Sequence, residues 1–270
     1  MQPDKQFSLP NFSIALVNYK TPELTRVCLI LLKQHFDSGI LDASRVQVWV
    51  ADNNSQDAST EYLRGQDWIH LIERIPEGRE EGFAAHGKAL DMILEQVQDD
   101  YLFLMHTDTF VYEPEIFNEL LQKCVGKTVA VGCLEQLNRG YFRTSWRLFS
   151  RFLKHYIRRV KRLLGLDARE PKPWREQYIK SFFALWNVQW MKQHGYTFFM
   201  QNRIPTYELQ DALETQDNNI CMVSPMWLFK FLDHVEAGTV GLVAGYGDMN
   251  RRVKRKMAIL NKINHLKNNL

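Results

Sequence analysis

The sequence contains no uncharged apolar stretch that approaches the roughly 20 residues a helix needs to cross a bilayer. Its N-terminal segment, MQPDKQFSLPNFS, has no apolar core of the kind found in signal peptides. The cysteines are widely spaced and form no C-x-x-C pair, which argues against a zinc site and against a disulfide framework. They are Cys28, Cys124, Cys133 and Cys221. We therefore expect a cytoplasmic protein.

Two common phosphate-binding motifs are also absent. No G-x-G-x-x-G follows the first predicted strand, and no G-x-x-x-x-G-K-[ST] occurs anywhere in the chain. These absences argue against a dinucleotide oxidoreductase and against a P-loop NTPase. No internal repeat is visible either.

Positive charge is concentrated in two segments. Residues 139–175 hold twelve Lys and Arg against two acids, and residues 251–270 hold seven Lys and Arg without an acid. Because the whole chain is only +3, the remainder carries a net charge of −14. Two basic segments on an acidic body predict a localised anionic partner. We expect an anionic membrane surface, and do not expect nucleic acid.

Up to residue 134 the chain alternates between apolar runs and amphipathic segments. Strands are predicted at 13–18, 46–51, 69–73, 101–106 and 128–134, and helices at 22–32, 57–63, 83–97 and from 114 onward. Alternation of this kind predicts a mainly parallel α/β sheet flanked by helices, Rossmann-like in architecture. We expect one domain over 1–270, with a nucleotide-binding half (11–135), an acceptor-side half (136–250) and a basic tail (251–270).

Polar side chains follow three of the predicted strands. Asn18 ends the first, Asp52 follows the second, and His106 and Asp108 follow the strand that begins at Tyr101. In open α/β sheets, ligands bind at the carboxyl ends of the strands, and an Asp after the second strand often holds a nucleotide's sugar or base. Carboxylate and phosphate oxygens together suit Mg²⁺ or Mn²⁺. The pattern therefore predicts a metal-bridged diphosphate site, although each of these groups could singly be a turn or a cap.

A basic amphipathic helix is predicted at 148–164, within a helical elaboration that spans about 141–165. Aromatic and aliphatic residues share one face, and Arg and Lys occupy the rest. Such a helix either lies in a membrane interface or packs on the protein core by its apolar face, and the pattern alone does not separate the two.

Four segments resemble the family-2 type of glycosyltransferase with a GT-A fold. They are SIALVNYKTPELTRVCL, VWVADNNSQDAS, EEGFAAHGKALD and YLFLMHTDTFVY, in the order and spacing of that family. The resemblance covers roughly residues 13–134. It implies that Asn18 and Tyr19 lie under the nucleotide, and that Asp52, with Asn54 and Ser55, binds the base.

The same resemblance implies a sugar–diphosphate pocket lined by Gly82, His86, Gly87 and Asp91. His106-Thr107-Asp108 stands where the family has Asp-x-Asp, whose last carboxylate binds the metal. Asp108 is retained, whereas His106 is a departure. A neutral imidazole can hydrogen-bond the donor's ribose or sugar, and it can ligate Mn²⁺ but suits Mg²⁺ poorly.

The second half must supply the acceptor site and a catalytic base. Asp211 is the first candidate for the base, with Glu208 and Glu214 as rivals, and a solvated acidic helix face is the alternative. His234 stands before Gly238-Thr239, where many GT-A enzymes have a late histidine that completes the metal shell. The aromatic segment 181–190 either forms a floor between donor and acceptor or is plain core.

The expected function is metal-assisted, inverting transfer of a sugar from a nucleoside-diphosphate sugar, with a UDP-sugar as the default donor. The expected acceptor is a hydroxyl of a glycan or of a lipid-linked glycan at the inner face of the membrane. Two alternatives remain: a nucleotidyltransferase of sugar-nucleotide synthesis, and a non-catalytic protein that binds membrane or RNA through its basic segments.

Overall fold

The computed structural model describes residues 10–78, 80, 82–134, 141–171, 178–215 and 218–235. In this part of the chain, nine strands are β1 (Phe12–Asn18), β2 (Val46–Asp52), β3 (His70–Glu73), β4 (Tyr101–His106), β5 (Thr109–Val111), β6 (Thr128–Gly132), β7 (Phe183–Asn187), β8 (Asn219–Met222) and β9 (Leu232–His234). Eight helices are α1 (Pro22–Asp37), α2 (Ala58–Arg64), α3 (Gly82–Gln96), α4 (Glu115–Leu121), α5 (Tyr141–Leu163), α6 (Val188–Gln193), α7 (Tyr207–Thr215) and α8 (Pro225–Leu228). The basic tail 251–270 lies outside the described residues.

A seven-stranded sheet organises the fold, in the order β3-β2-β1-β4-β7-β6-β8. The first four strands in that order are parallel to one another, and β6 is parallel to β8, whereas β7 is antiparallel to both β4 and β6. The predicted α/β class, with a mainly parallel sheet flanked by helices, is confirmed. The antiparallel insertion of β7 was not predicted.

Strand β1 lies in the middle of the parallel half, and all seven of its residues are buried. Its side chains alternate between two apolar clusters, with Ile14 and Leu16 in one and Ala15 and Val17 in the other. Both faces of the strand are therefore covered, which explains why its sequence is a continuous apolar run without alternation.

The first helix begins as its sequence predicts, with Pro22 in the first turn and Thr21 at the N-cap position. The hydroxyl of Thr21 makes no capping hydrogen bond, and instead lies 3.3 Å from the side-chain oxygen of Asn18. Helix α2 is capped by Asp57, whose carboxylate accepts a hydrogen bond from the backbone N–H of Ser59.

The aromatic segment 181–190 lies largely inside the protein. Phe182, Phe183 and Trp186 are fully buried, and β7 pairs through this segment with β4 and β6. These three rings are therefore part of the hydrophobic core.

A second, two-stranded sheet pairs β5 with β9 in antiparallel fashion. Thr109 lies opposite His234 in this pairing, and the N–H of Val235 donates to the carbonyl of Asp108 at 2.9 Å. The pairing thus brings a segment from late in the chain to the end of β4.

The longest described helix, α5, begins at Tyr141 and ends at Leu163. None of the helices in the described ranges combines the length and the apolar character needed to span a bilayer.

Candidate active site

The ends of three neighbouring strands bring the predicted polar side chains to one edge of the sheet. Asn18 lies opposite Asp52 in the β1–β2 pairing, and Val17 lies opposite His106 in the β1–β4 pairing. Paired strands are about 4.8 Å apart, so these side chains are neighbours although they are distant in sequence.

Asp52 is buried and accepts hydrogen bonds on both carboxylate oxygens. Oδ1 accepts from the amide of Asn18 at 2.7 Å and from the hydroxyl of Ser55, and Oδ2 accepts from the hydroxyl of Thr60 at 2.7 Å. The other end of the Asn18 amide accepts from Thr25 at 2.7 Å. This network fixes the orientation of the Asp52 carboxylate before any ligand arrives.

A cavity of about 390 Å³ opens beside Asp52, and Asn54, Thr60, Arg74 and Ile75 contribute to its lining. Asn54 has a positive φ of 59°, a conformation that Asn tolerates better than most residues. The lining is almost entirely polar, with carboxylate, amide, hydroxyl and guanidinium groups and a single aliphatic side chain, Ile75, so the cavity suits a ligand rich in hydrogen-bonding groups.

Arg74 is a buried member of this site that the sequence analysis missed. It follows β3 directly, and its backbone N–H donates to the carbonyl of Asp52 at 2.8 Å. Its guanidinium donates to Asn53 at 2.7 Å and to both carboxylate oxygens of Glu80, which also accepts from Lys88 at 2.8 Å. The signal that identified the other candidates, a polar residue at a strand end, applies to Arg74 as well.

The charge on Glu80 is retained despite its burial. Burial alone would raise the pKa of the Glu80 carboxyl, but hydrogen bonds from Lys88 and Arg74 lower that pKa below its usual range. Glu80 therefore orients two cations, Lys88 and Arg74, of which Arg74 lines the cavity.

Asp108 lies at the centre of a second group of side chains. Its Oδ1 is 3.0 Å from Nε2 of His234 and 3.8 Å from Nδ1 of His106. Within the described ranges, these three residues form the one group that offers a carboxylate oxygen and two imidazole nitrogens, all within 4.8 Å of one another. Such a donor set can hold a divalent transition metal ion.

His106 is held as a neutral imidazole. Burial lowers its pKa to about 3, and the neighbouring His86 and His234 act in the same direction, while Asp108 opposes them. The Nε2 of His106 lies 3.1 Å from the hydroxyl of Ser181, so its Nδ1 faces Asp108. A neutral imidazole is the form that ligates metals.

His86, on α3, is a third histidine beside this group. Its ring meets that of His106 edge to face at 5.2 Å, and burial lowers its pKa to about 4 against the attraction of Asp108. Over the described ranges, no hydrogen-bond partner reaches the buried Nε2 of His86. A buried nitrogen without a hydrogen-bond partner is typical of a site that binds a further polar group.

Thr107 connects the two groups of side chains. It is buried between His106 and Asp108, and its hydroxyl lies 3.4 Å from that of Thr21, which in turn reaches Asn18. The Asp52 cavity and the Asp108 group therefore belong to one continuous polar edge of the sheet.

The predicted residues of α3 have different surroundings. Gly82 begins the helix, whereas Gly87 packs so tightly that a Cβ atom would lie 2.7 Å from the Cβ of Phe199. The Asp91 carboxylate accepts backbone hydrogen bonds from Phe198 and Phe199 at 2.6 and 3.1 Å. Gly87 and Asp91 thus anchor the 198–199 segment to α3. Tyr19, beside Asn18, is partly exposed.

The candidate bases lie on α7 in a network with Arg203. One guanidinium nitrogen of Arg203 donates to both Glu208 and Asp211 at 2.7 Å, and the hydroxyl of Tyr178 donates to Asp211 at 2.9 Å. The side chain of Glu214 lies outside the described residues. Tyr178 lies three residues before Ser181, which contacts His106. The Cα atoms of Tyr178 and Ser181 are therefore at most about 10 Å apart, because an extended chain rises about 3.3 Å per residue.

No family model and no curated protein matches the sequence. Among solved structures, similarity extends to the mannosyltransferase PcManGT from Pyrobaculum calidifontis, determined with GDP-Man and Mn²⁺. That match has a TM-score of 0.55 and 11% sequence identity, over 80% of this chain and 55% of the mannosyltransferase. The fold is GT-A. S. aureus TarS 1-349 is similar at a TM-score of 0.50 and 12% identity, over 91% of this chain and 68% of that one.

This chain spans about half of the length of the mannosyltransferase. The comparisons show the architecture of the protein, whereas its chemistry depends on the residues at the edge of the sheet.

Proposed function

We propose that this protein is a metal-dependent glycosyltransferase that uses a nucleoside-diphosphate sugar as donor, with UDP as the default nucleotide. The observation that carries the proposal is the chain of hydrogen-bonded side chains that links Asp52 to the segment holding Asp108, at one edge of a GT-A sheet. A nucleoside in the cavity beside Asp52 and a metal-bound diphosphate beside Asp108 would belong to a single extended ligand.

Each group has a separate task in this proposal. Asp52, fixed by Asn18, Ser55 and Thr60, accepts hydrogen bonds from the base, and Arg74, which Glu80 orients, lines the same cavity. Gly82, His86 and His106 line the path toward the donor sugar. Asp108 and His234 hold the metal, and His106 is placed to be a third ligand.

Mn²⁺ fits this donor set better than Mg²⁺, because two of its three protein atoms are imidazole nitrogens. When bound, the metal would offset the negative charge that accumulates on the leaving diphosphate.

The remaining step is a proton transfer. In a single displacement with inversion, an acceptor hydroxyl oxygen bonds to the anomeric carbon as the bond from that carbon to the diphosphate oxygen breaks. The hydroxyl proton must pass to a carboxylate, and we assign this role to Asp211, with Glu208 as the rival. Both carboxylates lie on α7, and both accept a hydrogen bond from Arg203. Arg203 therefore has to release one of them during the reaction. The acceptor we propose is a glycan or lipid-linked glycan.

Thermal shift with UDP or GDP, with and without Mn²⁺, tests the nucleotide and metal sites separately. Asp52→Asn should weaken the shift whether or not metal is present, because it changes the acceptor offered to the base. Asp108→Asn should remove only the metal-dependent part, and should reduce Mn²⁺ affinity by on the order of 10- to 100-fold.

The matched control is Asp67→Asn, which changes an exposed carboxylate outside both groups. Donor hydrolysis across a set of nucleotide sugars then identifies the sugar. A protein that responds to no nucleoside diphosphate in the presence of Mn²⁺ would contradict the proposal.

A further inference from the structure

Helix α5 carries eight Lys and Arg residues and no acidic residue over its 23 positions. At about 1.5 Å per residue it is roughly 35 Å long. Its apolar residues recur at helical spacing through Trp146, Phe149, Leu153, Ile157 and Val160, so they form one continuous face.

The apolar face of α5 points away from the protein. Trp146 is 70% exposed, and Leu153 and Ile157 are 47% and 46% exposed. Five of the six partly covered positions in 145–163 lie on the opposite side of the helix; they are Arg147, Leu148, Arg151, His155 and Arg158, and the sixth is Ser150. Surface helices of globular proteins have the reverse orientation, with the apolar face inward. Packing of α5 on the core by its apolar face, the alternative considered from the sequence, is therefore wrong.

A cavity of about 240 Å³ lies beside the same helix. Lys154, Arg158 and Lys161 line it from α5, and Arg169 and Asp167 line it from the segment that follows. Four cations against one carboxylate favour an anion, and a phosphate group is the chemistry that such clusters bind.

We propose that α5 is an interfacial helix that lies in the plane of an anionic lipid bilayer. Its apolar face would enter the acyl boundary, while its Lys and Arg side chains and the basic cavity bind phosphate-bearing headgroups. Both parts of the surface are then used, the exposed apolar side chains and the excess of positive charge around Lys154, Arg158 and Lys161.

Two other occupants account for only part of this surface. A nucleic acid would pair with the charges but leave the exposed Trp146, Leu153 and Ile157 in water. A second copy of the chain would cover the apolar face but bring two helices of eight positive charges together.

Cosedimentation of the full chain with vesicles tests the proposal. We would compare vesicles of phosphatidylcholine alone with vesicles that contain about one-third phosphatidylglycerol, at low and at high salt. Binding should require the anionic lipid, and should fall by about fivefold for each Lys removed in Lys154→Gln and Lys161→Gln.

The decisive comparison is Ile157→Glu against Ile40→Glu. Ile40 is similarly exposed, at 57%, but lies outside α5. Both variants leave the basic tail unchanged, so any binding that the tail contributes is common to both. Ile157→Glu should lose binding and Ile40→Glu should keep it, and circular dichroism checks that both are folded.

Equal binding by these two variants would overturn the proposal. So would binding to RNA that is as tight as binding to vesicles and is unaffected by Ile157→Glu. Sedimentation velocity supplies a third test, because a dimer that Ile157→Glu dissociates in the absence of lipid would mean that a second copy covers the helix. None of these readouts depends on sugar transfer, so failure here and failure of the proposed function are distinguishable.

Discussion

His106 has an environment that differs from that of an ordinary surface histidine. It ends β4, its Nε2 lies beside the hydroxyl of Ser181, and its Nδ1 faces Asp108. Its low pKa, about 3, keeps the imidazole neutral at any physiological pH. In the proposed metal site the residue would therefore offer a nitrogen lone pair, where a carboxylate would offer oxygen and negative charge.

This difference predicts the metal preference of the protein. With His106 present, Mn²⁺ should support the UDP- or GDP-dependent thermal shift better than Mg²⁺, because imidazole suits Mn²⁺ better. In His106→Asp, the affinity for Mg²⁺ should rise on the order of tenfold, a usual scale for a change around a metal site. His194→Asp, at an exposed position, is the matched control. An unchanged Mn²⁺-to-Mg²⁺ ratio in His106→Asp would exclude His106 from the metal shell.

At the scale of single residues, the sequence predicted chemistry best where a polar group follows an apolar strand. Asn18, Asp52 and His106 were found in this way, because parallel strands end at a common edge. The partners of these groups could not be found locally. Ser181 reaches His106 only through the pairing of β4 with β7, and Glu80 reaches Arg74 across a loop.

Helix α7 presents two candidate bases to the same guanidinium. Arg203 binds Glu208 and Asp211, and Tyr178 adds a hydrogen bond to Asp211 alone. The Tyr178 hydroxyl therefore connects Asp211, but not Glu208, to the segment that also holds Ser181, and for this reason we assign the base to Asp211 first.

We expect Asp211→Asn to reduce turnover by about 10²- to 10⁴-fold, the usual contribution of general base catalysis. Its Mn²⁺-dependent nucleotide shift should be unchanged, because the residue does not touch the donor's diphosphate in the proposed arrangement. Glu208→Gln serves as the comparison and should lose less than about tenfold. A larger loss in Glu208→Gln than in Asp211→Asn would assign the base to Glu208 instead.

Elements of the second half were harder to predict than those of the first. Strand β7 runs antiparallel between β4 and β6, and such a placement depends on long-range pairing that no local pattern encodes. The amphipathicity of α5 was predicted, but its outward orientation depends on which face the rest of the chain covers. Local periodicity identifies the two faces of a helix and does not say which one is buried.

Over the whole molecule, Asp91 links the stability of the fold to pH. Its carboxyl group is largely buried, and desolvation raises its pKa from 3.8 to about 6, although the backbone N–H groups of Phe198 and Phe199 act against this. The folded protein therefore holds a proton that the unfolded chain releases at lower pH. The stabilisation from this proton is full below about pH 4 and is lost as the pH rises through about 6.

Comparison of the wild type with Asp91→Asn isolates this contribution. The buried histidines His86 and His106 act with the opposite sign, because their lowered pKa values make stability fall with acidification, but they are present in both proteins. The free energy of unfolding of the wild type, relative to Asp91→Asn, should fall by about 1–3 kcal/mol between roughly pH 4 and pH 6.5. Urea denaturation of both proteins at several pH values measures this difference in the free energy of unfolding. A constant difference over that range would show that Asp91 ionises as it does in the unfolded chain.

The pairing of β5 with β9 has a consequence for how the protein is made. Nearly half of the chain separates Asp108 from His234, so a ribosome that has released residues 11–135 has not yet supplied the last of the three proposed metal ligands. A nascent chain would hold the metal weakly until β9 emerges and pairs. A bound ion would then stabilise the contact between an early segment and a late one. By linkage, the factor by which the metal favours the pairing of β9 equals the factor by which detachment of β9 lowers the metal affinity.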